Sequence, residues 1–226
     1  MPPLLRAVPI CLYGLILPRN TPRVPSGING IDVSPTRVLA CGPVAAIVST
    51  IDGIPKRRDL SALRAHDAVL RAIAEAGITV AAVRFGQIFA GDADVCAEVA
   101  QRAESVVPTL ERLDGCVEMR LILSTDVLPP RESAPSPEGG PGRAYLERLR
   151  SGSRITGVSL RDALGPAVRD ERVEALRGAE GVTFAHLVHM SDVPTYRDAV
   201  AGLPMLSDAH VAGPLPLYSF STAFDD

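Results

Sequence analysis

The chain has 226 residues, 46% hydrophobic and 22% charged, so it carries the material for one generous core or two small ones and is not disordered in bulk. With 23 Lys and Arg against 26 Asp and Glu the formal net charge is −3, which argues against a general nucleic-acid or anionic-membrane binder, since those need a concentrated basic face. Gly and Pro number 19 and 20, enough for many turns and a linker, while 4% aromatics and no Trp leave the core to Ala, Val, Leu and Ile.

The run from Ile10 to Leu17 is continuously apolar and bounded by Pro9 and Pro18, which reads as a buried strand. The stretch from Ala7 to Leu17 contains Pro9, has no small-x-small cleavage site before Pro18 and is too short to span a bilayer, so no export and no membrane insertion are expected. Pro, Gly, Asn and Ser dominate from Pro18 to Pro35, and Val44 to Val48 then predicts a second strand in the same sheet. From Leu60 the period becomes helical, with Leu60, Leu63, Val69, Leu70 and Ile73 on one face, Asp59 placed to cap the start and Gly77 to end it. Ile78 to Phe85 predicts a short strand. Asp94 to Leu113 predicts a second helix, with Pro108 expected to kink it or to open a new first turn after a break. After Asp114 and Gly115, Val117, Met119, Leu121 and Leu123 alternate with Glu118, Arg120 and Ile122 in a strand with a mostly polar second face.

Between Pro129 and Pro141 lie five prolines with Gly139 and Gly140, a composition that continues neither a helix nor a sheet interior. The predicted organisation is therefore an N-terminal α+β domain over 1–128, a linker over 129–141 and a C-terminal α+β domain over 142–226 that ends in a strap. Each domain is expected to be a mainly antiparallel sheet with helices on one face. Beyond the linker, Arg143 to Arg150 and Ser159 to Arg177 read as helical, Val182 to Met190 as a strand, Val193 to Leu203 as a short helix and Ala209 to Phe220 as an extended tail.

Reactive chemistry is sparse in the pattern. Cys11, Cys41, Cys96 and Cys116 form no C-x-x-C pair and stand beside apolar neighbours, which predicts buried thiols in a reducing cytoplasm. There is no P-loop, no G-x-G-x-x-G opening a helix and no G-x-S-x-G. His186 and His189, three apart on a predicted strand, point to opposite faces and disfavour a metal pair. His66 and Asp67 are neighbours on a helix, about 100° apart around its axis, a poor arrangement for a base and its orienting carboxylate. No catalytic residue, metal ligand or cofactor is assigned.

Two clusters stand out. In the first, Val83 to Phe89, Arg84 interrupts an apolar strand end beside Phe85, and Gly86 permits a tight turn before Phe89. Arg84 is expected to be structural first, paired with a carboxylate such as Glu118. A competing reading makes Arg84 an anion clamp and His66 an acid or base in an interdomain pocket of a small-molecule enzyme or sensor, and a third makes the chain a purely structural scaffold whose domains bridge other proteins. In the second, Gly213 to Phe220, Pro214 and Pro216 fix an extended path that presents Tyr218 and Phe220 on one side. That segment is expected to fold back on the protein with the two aromatic side chains as anchors.

Taken in order, these pieces resemble the GvpL/GvpF family of gas vesicle proteins. The resemblance is carried by Leu12-Tyr13-Gly14, by Leu63-Arg64-Ala65-His66-Asp67-Ala68-Val69-Leu70, by Arg84-Phe85-Gly86-Gln87-Ile88-Phe89, by Leu113-Asp114-Gly115 before Glu118, by Gly142-Arg143-Ala144-Tyr145-Leu146, and by Gly213-Pro214 with Pro216 and Tyr218-Ser219-Phe220. It implies two α+β domains and a non-enzymatic accessory role in building gas vesicles in the cytoplasm. The implied partners are the gas vesicle shell protein and other accessory proteins. Arg84, Phe85, Gly86, Phe89, Gly213, Pro214, Pro216, Tyr218 and Phe220 are the candidates for binding them or for holding the fold. Leu215 stands where the family usually has Trp, and Leu217 where it usually has a second Pro, so an altered choice of partner is one implication.

Overall fold

A computed structural model of the chain describes residues 8–55, 59–124, 159–175 and 181–221. The proline-rich stretch 129–141 and the predicted helix at 143–150 lie outside them. The chain divides into two units: one runs through Val117 and resumes at Pro214, and the other spans Glu118–Gly213. This differs from the expected division at 129–141, because the strand from Cys116 is interior to the second unit's sheet and the last apolar segment returns to the first unit.

The first unit is built on an antiparallel sheet of β1 (Ile10–Ile16), β2 (Arg37–Cys41), β3 (Val44–Thr50), β4 (Ala81–Ala82) and β5 (Ile88–Phe89). Its order is β2-β3-β1-β4, with β5 also pairing β1. β2 falls in a stretch where composition predicted no strand. It forms because the two residues Gly42 and Pro43 close a hairpin onto β3, Gly42 supplying φ +71°.

The class is α+β as expected, but the first sheet is covered on both faces, not one. Helix α1 (Leu60–Glu75) buries Ala62, Val69, Leu70 and Ile73 against Cys11, Tyr13 and Ile16. Helix α2 (Asp92–Leu113) buries Val95, Val99, Val106 and Leu110 in a separate cluster with Ile10, Leu12, Leu15 and Leu17. The two sets of β1 residues exchange parity between Leu12 and Gly14, where the register to β3 shifts by one residue in a bulge. Gly14 is obligatory there: a Cβ would lie 2.6 Å from Val80 Cγ2 and 3.0 Å from the Ala81 carbonyl oxygen.

Asp59 caps α1, its Oδ1 accepting from the backbone N–H of Ser61 and Ala62 at 3.0 Å. The buried stripe is centred on Ala62, His66, Val69 and Ile73, so Leu60 and Leu63, expected on the core face, stand 65% and 44% exposed. α2 continues through Pro108 without a break, leaving the Glu104 carbonyl without its intrahelical donor.

In the second unit the sheet order is β7-β8-β6-β9, from β6 (Cys116–Ser124), β7 (Val168–Ala175), β8 (Gly181–His189) and β9 (His210–Leu215). The helix predicted for Ser159 to Arg177 is corrected: among the described residues only α3 (Arg161–Leu164) forms, Gly165 at φ +71° and Pro166 end it, and Val168–Ala175 pairs antiparallel with β8. A short helix, α4 (Val193–Ala201), buries Val193, Tyr196 and Val200. Because β6 is interior, its second face is only partly solvated, Arg120 and Ile122 being half-buried. Glu118 is fully buried, with its Oε1 accepting from Arg120 Nε at 2.6 Å.

Candidate functional site

The two clusters singled out in the sequence converge on α1. Phe85, half-buried, packs on the α1 side of the first sheet and meets the His66 ring edge-on, with centroids 5.7 Å apart and planes at 88°. On its other side His66 lies 5.1 Å from the Tyr13 ring. One residue further along α1, the Asp67 carboxylate accepts from the Tyr218 hydroxyl and from Arg71 Nε, the latter at 2.6 Å. The segment after β9 thus docks on the same helix as the Phe85 loop.

That segment is not extended throughout. Strand geometry stops at Leu215, and a turn follows in which Phe220 N–H and Ser221 N–H both donate to the Leu217 carbonyl. Pro216, Leu217 and Phe220 are buried, Phe220 to 1% exposure. Ser221 Oγ accepts from Ala82 N–H at 3.1 Å and donates to the Leu217 carbonyl at 2.7 Å, which fastens the strap to the end of β4. At the strap's start, Gly213 has φ +131° in the second unit, where a Cβ would fall 2.9 Å from the Glu118 carbonyl oxygen and 2.8 Å from Met119 Sδ.

Arg84 does not behave as expected. It is exposed and has no ion-pair partner among the described residues, while Glu118 binds Arg120. The strand around it is interrupted, since bonding to β1 runs from Ala81 to the Val83 N–H and resumes only at the Gln87 carbonyl, leaving Arg84 to Gly86 off the sheet. Arg84 and Gly86, the latter at φ +96°, therefore stand at the tip of a turn whose buried ends are Val83 and the partly buried Phe89. A charge at a turn tip keeps its water and needs no partner.

The ionisable groups are tuned by burial. His66 is 4% exposed, and burial holds its pKa down at about 4 against a backbone hydrogen bond at Leu12 and the nearby Asp67 charge. Its Nε2 has no hydrogen-bond partner among the described residues. A neutral, enclosed imidazole between two aromatic rings packs much as an apolar side chain does. For Asp67 burial pulls upward, but the hydrogen bonds from Tyr218 and Arg71 outweigh it and hold the carboxyl below its ordinary value. Tyr13, missed in the sequence reading beyond its motif, is pushed up to about 12 by burial.

The Tyr13 hydroxyl shares a hydrogen bond of 2.7 Å with Ser49 Oγ and accepts from Ile31 N–H at 2.9 Å. Gly30 makes room for it, since a Cβ there would fall 2.1 Å from the phenolic oxygen. The loop so held carries Asp32 and Val33 at φ +58° and +57°, a conformation that a β-branched residue rarely adopts. Val33 and Ile54, 75% and 76% exposed, line a cleft of about 560 Å³ with Asp32, Asp52 and Asp59.

In the second unit a buried chain joins Glu171, His186 and Tyr196. His186 Nε2 stands 2.9 Å from Glu171 Oε2, and His186 Nδ1 stands 2.8 Å from the Tyr196 hydroxyl. Glu171 Oε2 also accepts from Leu160 N–H at 2.9 Å. His186 is fully buried, and burial lowers its pKa against the pull of Glu171. This arrangement satisfies buried polar groups and ties β7, β8 and α4 together. His189 does not join it, its Nδ1 bonding Ser191 instead. Among the described residues no group of three or more His, Cys, Asp or Glu is placed to hold a metal ion.

The cysteines differ from expectation. Cys41 at the end of β2 and Cys96 on α2 form a disulfide with Cα atoms 4.9 Å apart, while Cys11 and Cys116 are buried thiols outside it. The sequence separation of 55 between the paired cysteines gave no spacing signal, and only the packing of α2 under β2 brings them together.

Fold and site together define a chain of two antiparallel α+β units in which Phe85, Tyr218 and Phe220 pack or bond within the first unit while Arg84 stays exposed. It belongs to the family described as "Gas vesicle synthesis protein GvpL/GvpF", whose sequence model matches residues 10–222. It is 32% identical over 237 aligned positions to "Gas vesicle protein F" of Streptomyces sp. (strain CB03234), covering 92% of this chain and 98% of that one. Its fold is similar to the crystal structure of GvpF from Microcystis aeruginosa, with TM-score 0.70, 18% identity and coverage of 95% and 99% of the two chains. Similar again is GvpF from Anabaena sp. PCC7120, with TM-score 0.71, 16% identity and coverage of 95% and 96%. Membership of this family gives the chain a role connected with gas vesicles in the cell. No helix among the described residues is long and apolar enough to cross a membrane.

Proposed function

We propose that the protein is a non-enzymatic accessory factor of gas vesicle formation that binds the vesicle shell protein and other accessory proteins, and so assists nucleation or assembly of the wall. The observation that carries this reading is the family match across almost the whole chain. A shell that holds gas needs an apolar subunit, and such a subunit exposes apolar surface and strand edges before it polymerises, so a partner must cover them. The first unit supports the reading in having Val33, Ile54, Leu60 and Leu63 exposed around one end of α1.

Within this proposal the candidate residues divide by exposure. Arg84 and Gly86, at an exposed turn with no internal partner among the described residues, are contacts for a partner. Phe85, Phe89, Pro216, Tyr218 and Phe220 hold the turn and the strap in place, and Gly213 and Pro214 set the path by which the strap starts. Co-purification of the shell protein with the full chain, with Arg84→Glu and with a chain ending after Val211 tests the division. Arg84→Glu is expected to lose the shell protein while keeping its melting temperature. Full retention by both variants overturns the assignment of these residues, and failure of the wild-type chain to retain any gas vesicle protein overturns the function.

A further inference from the structure

We propose that Cys41 and Cys96 form a reversible thiol–disulfide clasp that fastens the edge strand β2 to α2 when closed and releases it when opened by a low-molecular-weight thiol. Among the described residues the strand is an edge, paired on one side only, with β3. Beyond that ladder, two side-chain ties join it to α2, one near each of its ends. Arg37 pairs with Asp92 at the start, and Cys41 is bonded to Cys96, one helical turn after Asp92, at the close. The Arg37–Asp92 pair has side chains 41% and 47% exposed, so water and salt leave it weak. Leu39 also packs against the cluster that holds Val95 and Val99 of α2, and the covalent tie adds to that packing the one link that water and salt do not weaken.

The clasp also has the asymmetry that exchange chemistry needs. Cys41 is 5% exposed, whereas Cys96 is half-buried and open to solvent on one side. An incoming thiolate attacks Cys96 Sγ, a new S–S bond forms to the attacking sulfur, and the Cys41 sulfur leaves with the bonding pair and takes up a proton. A second thiolate resolves the mixed disulfide, freeing the Cys96 thiol and releasing a low-molecular-weight disulfide. The protein pair gains two electrons and the two thiols lose them. Oxidation is the reverse, with that disulfide as oxidant. Cys11 and Cys116, both buried, are internal controls that do not take part. Inside a cell thiols are kept reduced, and a disulfide there is transient and responsive, which suits a clasp rather than a permanent staple.

This inference is independent of partner binding, and its test uses the full chain alone. The protein is equilibrated in glutathione buffers from fully reduced to fully oxidised, free thiols are alkylated and counted by intact mass, and amide exchange is followed along residues 37–48 in each state. The expected result is closure of the Cys41–Cys96 pair only, with amides of β2 exchanging about tenfold or more faster when it is open. The double variant Cys41→Ser/Cys96→Ser is expected to show the fast exchange in every buffer. The reduced wild-type chain supplies the same comparison if that variant does not fold. The proposal is overturned if both cysteines stay alkylatable in oxidising buffer, or if β2 exchanges equally in the two states. It is overturned also if Asp92→Asn alone gives the fast exchange in the oxidised chain.

Discussion

Replacing Phe220 by Ala tests whether the strap is a structural part of the first unit or a free interaction motif. The side chain is 1% exposed, on a segment fastened by Ser221 to Ala82 and by Tyr218 to Asp67. Truncating a phenylalanine buried to this degree removes transfer energy and leaves a cavity, together costing about 3–5 kcal/mol. Because its neighbours Tyr218 and Ser219 are only partly buried, the site relaxes more readily than a central strand, which places the expectation near 3 kcal/mol. In a unit of this size that lowers the melting temperature by roughly 10 °C. Tyr218→Phe removes only the hydroxyl donated to a partly exposed carboxylate that Arg71 still serves, so its cost is about 1 kcal/mol. Differential scanning calorimetry of both variants, with limited proteolysis of the strap, gives the comparison. If Phe220→Ala melts within about 2 °C of wild type while the shell protein is no longer bound, the strap is a free motif and the docking argument fails.

Stability should fall on acidification from pH 6.5 towards 4, because the unfolded chain protonates His66 at its ordinary value of 6.5 while burial holds it unprotonated in the fold down to about 4. Those two values set a loss of about 3 kcal/mol by pH 4, and chemical denaturation of His66→Gln across this range should show a correspondingly flatter profile. The Asp67 carboxyl, depressed by Tyr218 and Arg71, contributes stability that is present above its ordinary value of 3.8 and is lost only below it, so Tyr218→Phe should alter the profile at the acid end alone. Gly213→Ala should cost about 1–3 kcal/mol, since its φ of +131° is strained for alanine and the new Cβ meets the Glu118 carbonyl, which urea denaturation will report. Opening the Cys41–Cys96 bond, which closes a loop of 55 residues, should lower the unfolding free energy by about 4 kcal/mol on a chain-entropy account, measured by denaturation with and without reductant.

Much of the fold was legible because its signals are local. The apolar run from Ile10 gave β1, the Asp59 cap with the Val69, Leu70 and Ile73 stripe gave α1, and the Val95 to Leu113 spacing gave α2. Colinear short motifs carried the family, and with it the connection to gas vesicles. Which face each helix covers was not legible in the same way: a strand apolar at every position must be covered on both faces, yet nothing in α1 or α2 says which takes which.

Tertiary structure decided what depends on residues far apart in the chain. It shifted the parity of β1 through a bulge at Gly14, where Val80 and the Ala81 carbonyl press on the backbone. It turned a segment that reads as helix into β7, because pairing with β8 outweighs weak local propensity. It left Arg84 at a turn tip, buried Glu118 inside the second sheet, joined Cys41 to Cys96 across 55 residues and returned Phe220 to the first unit. Each of these depends on what packs against the residue, and the free energy of that contact belongs to the pair, so neither sequence neighbourhood alone contains it.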